Sequence, residues 1–463
     1  MPDLHEALTL AVGAAHVVAG DAISADYSHD EALSVEPVMP AFVAQPSTAS
    51  EVATLVAIAD EHRVPITARG SGTGLSGACT PRLDSLVVSF ERMNAILEID
   101  TENHVAVVQP GVTLAELDEA LAPHGLAYPV YPGEYSASLG GNVATNAGGM
   151  RAVKYGVTRH QVLGLEAVLA TGEIIRTGGK FVKATAGYDL TQLIIGSEGT
   201  LALVTEATLR LYPRMPHTAT VLAPFPSLDV VTHAIPRIVA SGVGPMILEY
   251  IDMITLGAIT AHVGLDLGIP TEIRETALAY LVVMMEQTTD DRLDEDVEAL
   301  AEQLAELGAI DVYVLPGAAA ASLIDAREKS FWVAKANHAD DIVDIVVPRA
   351  SLPDFMEEVG RIASGSGSWI AGCGHAGDGN VHLSVFQADP EVRERVLHDL
   401  FAKGLALGGA ISGEHGIGHA KQQHFLELED PVKLDLMRRI KAAFDPHNIL
   451  NPGTLLDGEV PTR

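Results

Sequence analysis

Cysteine is nearly absent: Cys79 and Cys373 are the only two in 463 residues. That excludes a disulfide framework and points to a reducing compartment. Basic residues are scarce as well, 29 Lys and Arg against 61 Asp and Glu, for a net charge of −32. Such a surface repels a nucleic-acid backbone or an anionic membrane, so neither is expected as a partner. No uncharged apolar run approaches the roughly 18 residues that a membrane span needs. The opening Met1-Pro2-Asp3-Leu4-His5-Glu6 has neither a basic start nor an apolar stretch, so no secretory leader is expected and the location expected is cytoplasmic. What remains is a 48% hydrophobic composition over a length that supports two or three substantial cores.

Glycine, by contrast, is abundant and gathered. Arg69-Gly70-Ser71-Gly72-Thr73-Gly74-Leu75-Ser76-Gly77 follows a strand reading at Val64–Thr67 and holds four glycines and three hydroxyls in nine residues. Converging backbone N–H groups in such a loop can cradle an anion. It lacks the Gly-Lys-Ser/Thr of a P-loop, and its Gly72, Gly74, Gly77 spacing does not open a helix as a dinucleotide fingerprint would. A second cluster runs from Pro132-Gly133 through Ser138-Leu139-Gly140-Gly141-Asn142 to Thr145-Asn146-Ala147-Gly148-Gly149, and a third is Gly196-Ser197-Glu198-Gly199-Thr200. One extended ligand touching all three loops is the economical explanation, since glycine lets backbone approach a flat ligand closely.

Chemistry-bearing side chains concentrate further on. Gly374-His375-Ala376-Gly377-Asp378-Gly379-Asn380-Val381-His382 reads as a tight loop entering a strand at Val381–Phe386, because glycines disfavour a helix. Some thirty residues later comes Ser412-Gly413-Glu414-His415-Gly416-Ile417-Gly418. His375, His382 and Glu414 together form a three-point set suited to a divalent transition metal with open positions. The alternative is two glycine-rich turns with incidental histidines. Ahead of the first glycine loop, a helix is expected from Glu51 to His62, capped by Ser50. Beyond about residue 215, strands and helices interleave as in an antiparallel sheet with helices on one face. That series includes a helix through Arg327–Lys335 and a strand over Ile342–Val347, and a last helix follows at Asp430–Phe444.

Taken in order, these motifs and the closing Asn448-Ile449-Leu450-Asn451-Pro452-Gly453 resemble the FAD-linked D-2-hydroxyacid dehydrogenases over about residues 35 to 455. The resemblance implies an α+β, two-lobed fold of the vanillyl-alcohol-oxidase type. Its parts would be an FAD-binding domain over 1–215, a substrate or cap domain with the metal site over 216–420, and a segment over 421–463 returning to the FAD domain. Its cofactor contacts would come from Arg69 through Gly77, then Pro132, Gly133, Ser138, Gly140, Gly141, Asn142, Thr145, Asn146, Gly148, Gly149, Glu198, Gly199 and Asn451. Thr73 stands where covalent relatives carry a flavin-linking histidine, so non-covalent FAD is expected.

The same resemblance implies His415 as general base beside a divalent metal, zinc foremost with manganese or iron as alternatives. Asn380 and Arg327 would hold the substrate carboxylate, although spacing alone favours a surface ion pair for Arg327. Ile342 takes the place of a lysine found in D-2-hydroxyglutarate dehydrogenases, which shifts the expected substrate toward a monocarboxylate: D-lactate, glycolate or a longer apolar homologue. Electrons would pass to a quinone, a cytochrome or an electron-transfer protein, and a homodimer is compatible with the family. Rival readings are D-2-hydroxyglutarate oxidation, a transferase like alkylglycerone-phosphate synthase, a flavin-free metallohydrolase and a non-catalytic metal-binding scaffold.

Overall fold

The computed structural model describes residues 4–457. Two sheets build the first half. One has the order Val17–Ala19, Phe42–Ala44, Leu86–Ser89, Ile66–Arg69, with Leu86–Ser89 parallel to both of its neighbours. The other is antiparallel, in the order Ile96–Asp100, Val105–Val108, Leu203–Arg210, Val162–Val168, Ile174–Gly178. The helix Ala49–His62 packs Val52, Leu55, Val56 and Ala59 into a core that joins strands of both sheets. Its cap is Thr48 rather than Ser50: Thr48 holds an extended backbone and accepts from Glu51 N–H, while the Glu51 carboxylate returns to Ser47 N–H at 2.6 Å.

The second half is built on one seven-stranded antiparallel sheet, ordered Tyr313–Leu315, His217–Phe225, Ala279–Gln287, Ile247–Asp252, Trp369–His375, Asn380–Phe386, Asp341–Val346. Helices cover both faces, not one. Because strand side chains alternate, Val221, Leu248, Leu281, Val343 and Leu383 face the helices Leu228–Ala240, Asp290–Glu306, Leu352–Ser366 and Pro390–Ala406. Leu222, Ile251, Val282 and Cys373 face the other way, against Met253–Val263, Gly317–Glu328 and Ser330–Ala336. The single helix expected through Arg327–Lys335 is thus two, broken at Lys329. Near the C-terminus, Phe425 and Leu434 enter the core of the second half, whereas Ile449 and Leu450 join that of the first.

Candidate active site

His375 ends a strand rather than sitting in a loop. The tight turn Ala376–Gly379 folds the chain into a hairpin that pairs His375 with Asn380 and Cys373 with His382. Directly paired residues share a sheet face, so both imidazoles emerge on the side covered by the shorter helices. Register brings Glu249 opposite His375 and Asp344 opposite His382 on that face. A sheet buried on both sides thereby carries two acids, each fully buried. Buried charges persist only when paired.

Their partners account for them. Glu249 Oε1 meets His375 Nδ1 at 2.7 Å, and Glu249 Oε2 lies 2.6 Å from Arg327 Nη2. Asp344 Oδ2 accepts from Ser412 Oγ at 2.6 Å and from the N–H groups of Gly413, Glu414 and His415 at 3.1, 3.0 and 2.8 Å. Asn380 Nδ2 donates to Asp344 Oδ1 at 2.8 Å, and the buried Lys421 ammonium stands 3.6 Å from Oδ2. One carboxylate thus moulds the whole Ser412–His415 turn. Gly413 has to be glycine there, since a Cβ would collide with the Asn380 amide.

The turn delivers Glu414 to the histidines: Glu414 Oε1 lies 3.0 Å from His375 Nε2 and 3.2 Å from His382 Nε2. Two imidazole nitrogens and a carboxylate oxygen within 4.8 Å of one another fit a divalent transition metal. Glu249 on the outer nitrogen of His375 is the kind of support such ligands need. Asp344, His382 and His415 make a second such group, but five hydrogen-bond donors already occupy the Asp344 carboxylate. Burial alone would lower the His375 pKa, yet the Glu249 and Glu414 carboxylates lift it well above its ordinary value, as they would attract a cation in place of that proton. Burial would raise Glu414, but His375 and His382 hold it well below the usual carboxylate range. His415 stacks on His382 with ring centres 5.0 Å apart, and burial pushes its pKa down to about 4 despite the Asp344 charge.

All three glycine loops converge on one cavity. Gly70 through Ser76, Pro132, Ser138, Gly140, Gly141, Asn142, Thr145, Glu198 and Gly199 line it. The buried Asn142 Nδ2 has no hydrogen-bond partner among the described residues, which fits a donor reserved for a ligand. Ser138 caps a short helix, Leu139–Thr145, that two glycines had hidden from the sequence reading.

Other candidates lie behind this wall. Arg69 donates to His29 C=O at 2.7 Å, packed beneath Gly72. Gly77 N–H donates to Asp30. Asn146 is a left-handed helix terminus that accepts from Arg159 N–H. Asn451 Nδ2 donates to the carbonyls of Ala78 and Glu198. Gly148 and Gly149 let the chain pass Glu414 and the Tyr131 carbonyl, where any Cβ would clash. The Glu198 carboxylate accepts from Ile417 and Gly418 N–H at 2.8 and 2.7 Å.

A second cavity opens on the far side of Leu75, Pro132, Glu414 and His415, which line both. His375, His382 and Arg327 stand at its polar end, with Gly133, Gly149 and Ile342 also on its walls. Arg327 is not a surface residue: it is 5% exposed, and its Nε has no hydrogen-bond partner among the described residues. Asn380 lines neither cavity, its amide being committed to Asp344. Glu249, Asp344 and Lys421 are functional neighbours that motif reading missed. An acid inside an otherwise apolar strand, as in Ile247-Leu248-Glu249-Tyr250-Ile251, is the signal that would have found two of them.

Two family models match: the FAD linked oxidases, C-terminal domain, over residues 214–455, and the FAD binding domain over residues 40–178. An uncharacterized FAD-linked oxidoreductase of Mycobacterium tuberculosis is 59% identical over 96% of this chain and 97% of its own. A glycolate oxidase subunit of Bacillus subtilis is 39% identical over 93% and 91%. The solved structure of 4-ethylphenol oxidase from Gulosibacter chungangensis superposes with a TM-score of 0.79 at 19% identity, covering 98% of this chain and 96% of that one, and shares the fold. The expected two-lobed flavoprotein architecture therefore holds, and with these matches spanning both halves and the glycine loops enclosing one cavity, the chain belongs to the FAD-linked oxidases and is an oxidoreductase.

Proposed function

We propose that this protein is an FAD- and metal-dependent dehydrogenase that oxidises a D-2-hydroxy acid with a single carboxylate to the 2-oxo acid. The observation that carries the reading is the shared wall: Glu414 and His415 face the cavity of the glycine loops and the second cavity at once. Bound FAD supplies the acceptor for the hydride from C2. A bound divalent ion, zinc or else manganese or iron, supplies the charge that acidifies the hydroxyl. His375, His382 and Glu414 would hold that ion. Arg327 receives the substrate carboxylate on its unpartnered Nε. His415, held neutral by burial and oriented from the Asp344 side, takes the hydroxyl proton. Asn380 serves this base through Asp344 rather than by touching substrate.

Thr73 lines the flavin cavity and has no nucleophilic ring nitrogen, so FAD is held without a covalent bond. The two electrons then leave to a quinone, a cytochrome or an electron-transfer protein. D-2-Hydroxyglutarate is a weaker reading: Ile342 offers no charge, and among the described residues no lysine or second arginine lines the cavity to meet a second carboxylate. Anaerobic mixing of the purified yellow protein with D- and L-2-hydroxy acids tests the proposal. Loss of flavin absorbance near 450 nm is expected with D-monocarboxylates; no bleaching with any of them refutes it.

A further inference from the structure

We infer that the substrate carries a long or bulky apolar tail, of a size that neither glycolate nor D-lactate supplies; this rests on the dehydrogenase reading above and names its substrate class. All the cationic and metal-type side chains of the second cavity stand at one end, and no lysine or second arginine lines the rest. Away from that end Ile254, Ala258, Phe331, Ile342, Trp369 and Phe386 line the walls, with the uncharged Thr255, Asn337 and Ser384 among them. Sheet register orders one wall along a line. On the face that bears the histidines, the pair Cys373 and His382 is followed by Ala371 and Ser384, then by Trp369 and Phe386. Those last two rings pack with centres 4.6 Å apart.

Four residues of strand separate His382 from Phe386, about 13 Å. With carbon–carbon bonds of about 1.5 Å foreshortened by the zigzag of an extended chain, that length matches on the order of ten bonds. Trp369 is 49% and Ile254 41% exposed, so the channel ends in an apolar rim open to solvent. Large apolar side chains left in water beside a cavity that glycolate would barely fill call for an apolar occupant.

The test uses the holoenzyme and a homologous series of D-2-hydroxy acids from glycolate through D-lactate to 2-hydroxydodecanoate, with 2-hydroxyglutarate as the charged control. The rate constant for flavin reduction at limiting substrate should rise roughly fourfold per methylene until the channel is filled, the usual worth of burying a CH₂ group. A flat series, or 2-hydroxyglutarate outrunning 2-hydroxyhexanoate, overturns the inference but leaves the dehydrogenase reading standing. No reduction at any length overturns the dehydrogenase reading instead. Calorimetric binding of 2-oxo acids separates the two: tighter binding of long chains than of pyruvate supports the apolar channel, and equal binding overturns it. Ala371→Phe, projecting into the middle of the channel, should flatten the chain-length profile in both measurements, and an unchanged profile counts against the inference. Should that variant fail to fold, Ala258→Phe plugs the channel from the opposite helix.

Discussion

Four side chains gather at the site but are unequal in role. Alanine at His375, His382 or Glu414 is expected to lower bound divalent metal and flavin reduction together, with FAD retained in its own cavity. His415→Ala should keep both metal and FAD yet reduce flavin about 10²- to 10⁴-fold more slowly, the usual worth of a positioned base. Metal analysis and rapid mixing on the same samples check this; loss of metal in His415→Ala would reverse the assignment. For Arg327 the structure changes what motif reading suggests. Its guanidinium is the partner of the fully buried Glu249, so Arg327→Ala should cost about 3–5 kcal/mol of stability by stranding that charge. Weakened substrate binding should accompany this loss. Thermal melting and the concentration dependence of flavin reduction report the two effects separately.

Loops carry most of the chemistry, and what holds a loop matters as much as what it displays. Within Ser412–Gly418, Asp344 gathers the first half from the sheet, and Glu198 gathers Ile417 and Gly418 from the flavin lobe. It is a strap tied to both lobes. Asp344→Ala leaves several buried donors without an acceptor, and the expected loss is about 3–5 kcal/mol, with the metal set dispersed because Glu414 is no longer aimed. Faster amide exchange at Gly413, Glu414 and His415, together with reduced metal content, would be the signature. Unchanged exchange would mean that the turn is held by something other than this carboxylate.

At the scale of the whole molecule, the lobes also meet where Glu328 of the cap approaches Tyr131 of the flavin lobe. Burial raises the Glu328 pKa to about 7, against the smaller opposing effects of Tyr131 and Arg151. A carboxyl whose folded pKa exceeds its unfolded value of 4.5 binds more protons when folded. Its cost to stability therefore grows as pH rises from about 4.5 through about 7, by about 1–3 kcal/mol after allowance for partial exposure. Glu328→Gln should melt higher than the native protein at pH 8 and nearly level with it at pH 5. No difference between the two pH values would remove this carboxyl from the account. No helix among the described residues is long and apolar enough to cross a membrane.

Much of this was readable in the chain because each signal is local. A glycine loop or a histidine beside a turn acts through its immediate neighbours, so three loops announced the flavin cavity and two motifs announced the cluster of His375, His382 and Glu414, whereas the helix cap fell on Thr48 and not on the expected Ser50. Convergence is not local. Glu249 lies 126 residues from His375 and Asp344 lies 38 from His382, and only strand register sets them opposite one another. The same register turned Asn380 toward Asp344, and packing of the helix Gly317–Glu328 over the sheet buried Arg327 against Glu249. It also aligned His382, Ser384 and Phe386 into a channel wall. Pairing across a sheet is decided by which strands become neighbours, a choice that emerges from packing of the whole core and leaves no mark within either strand alone.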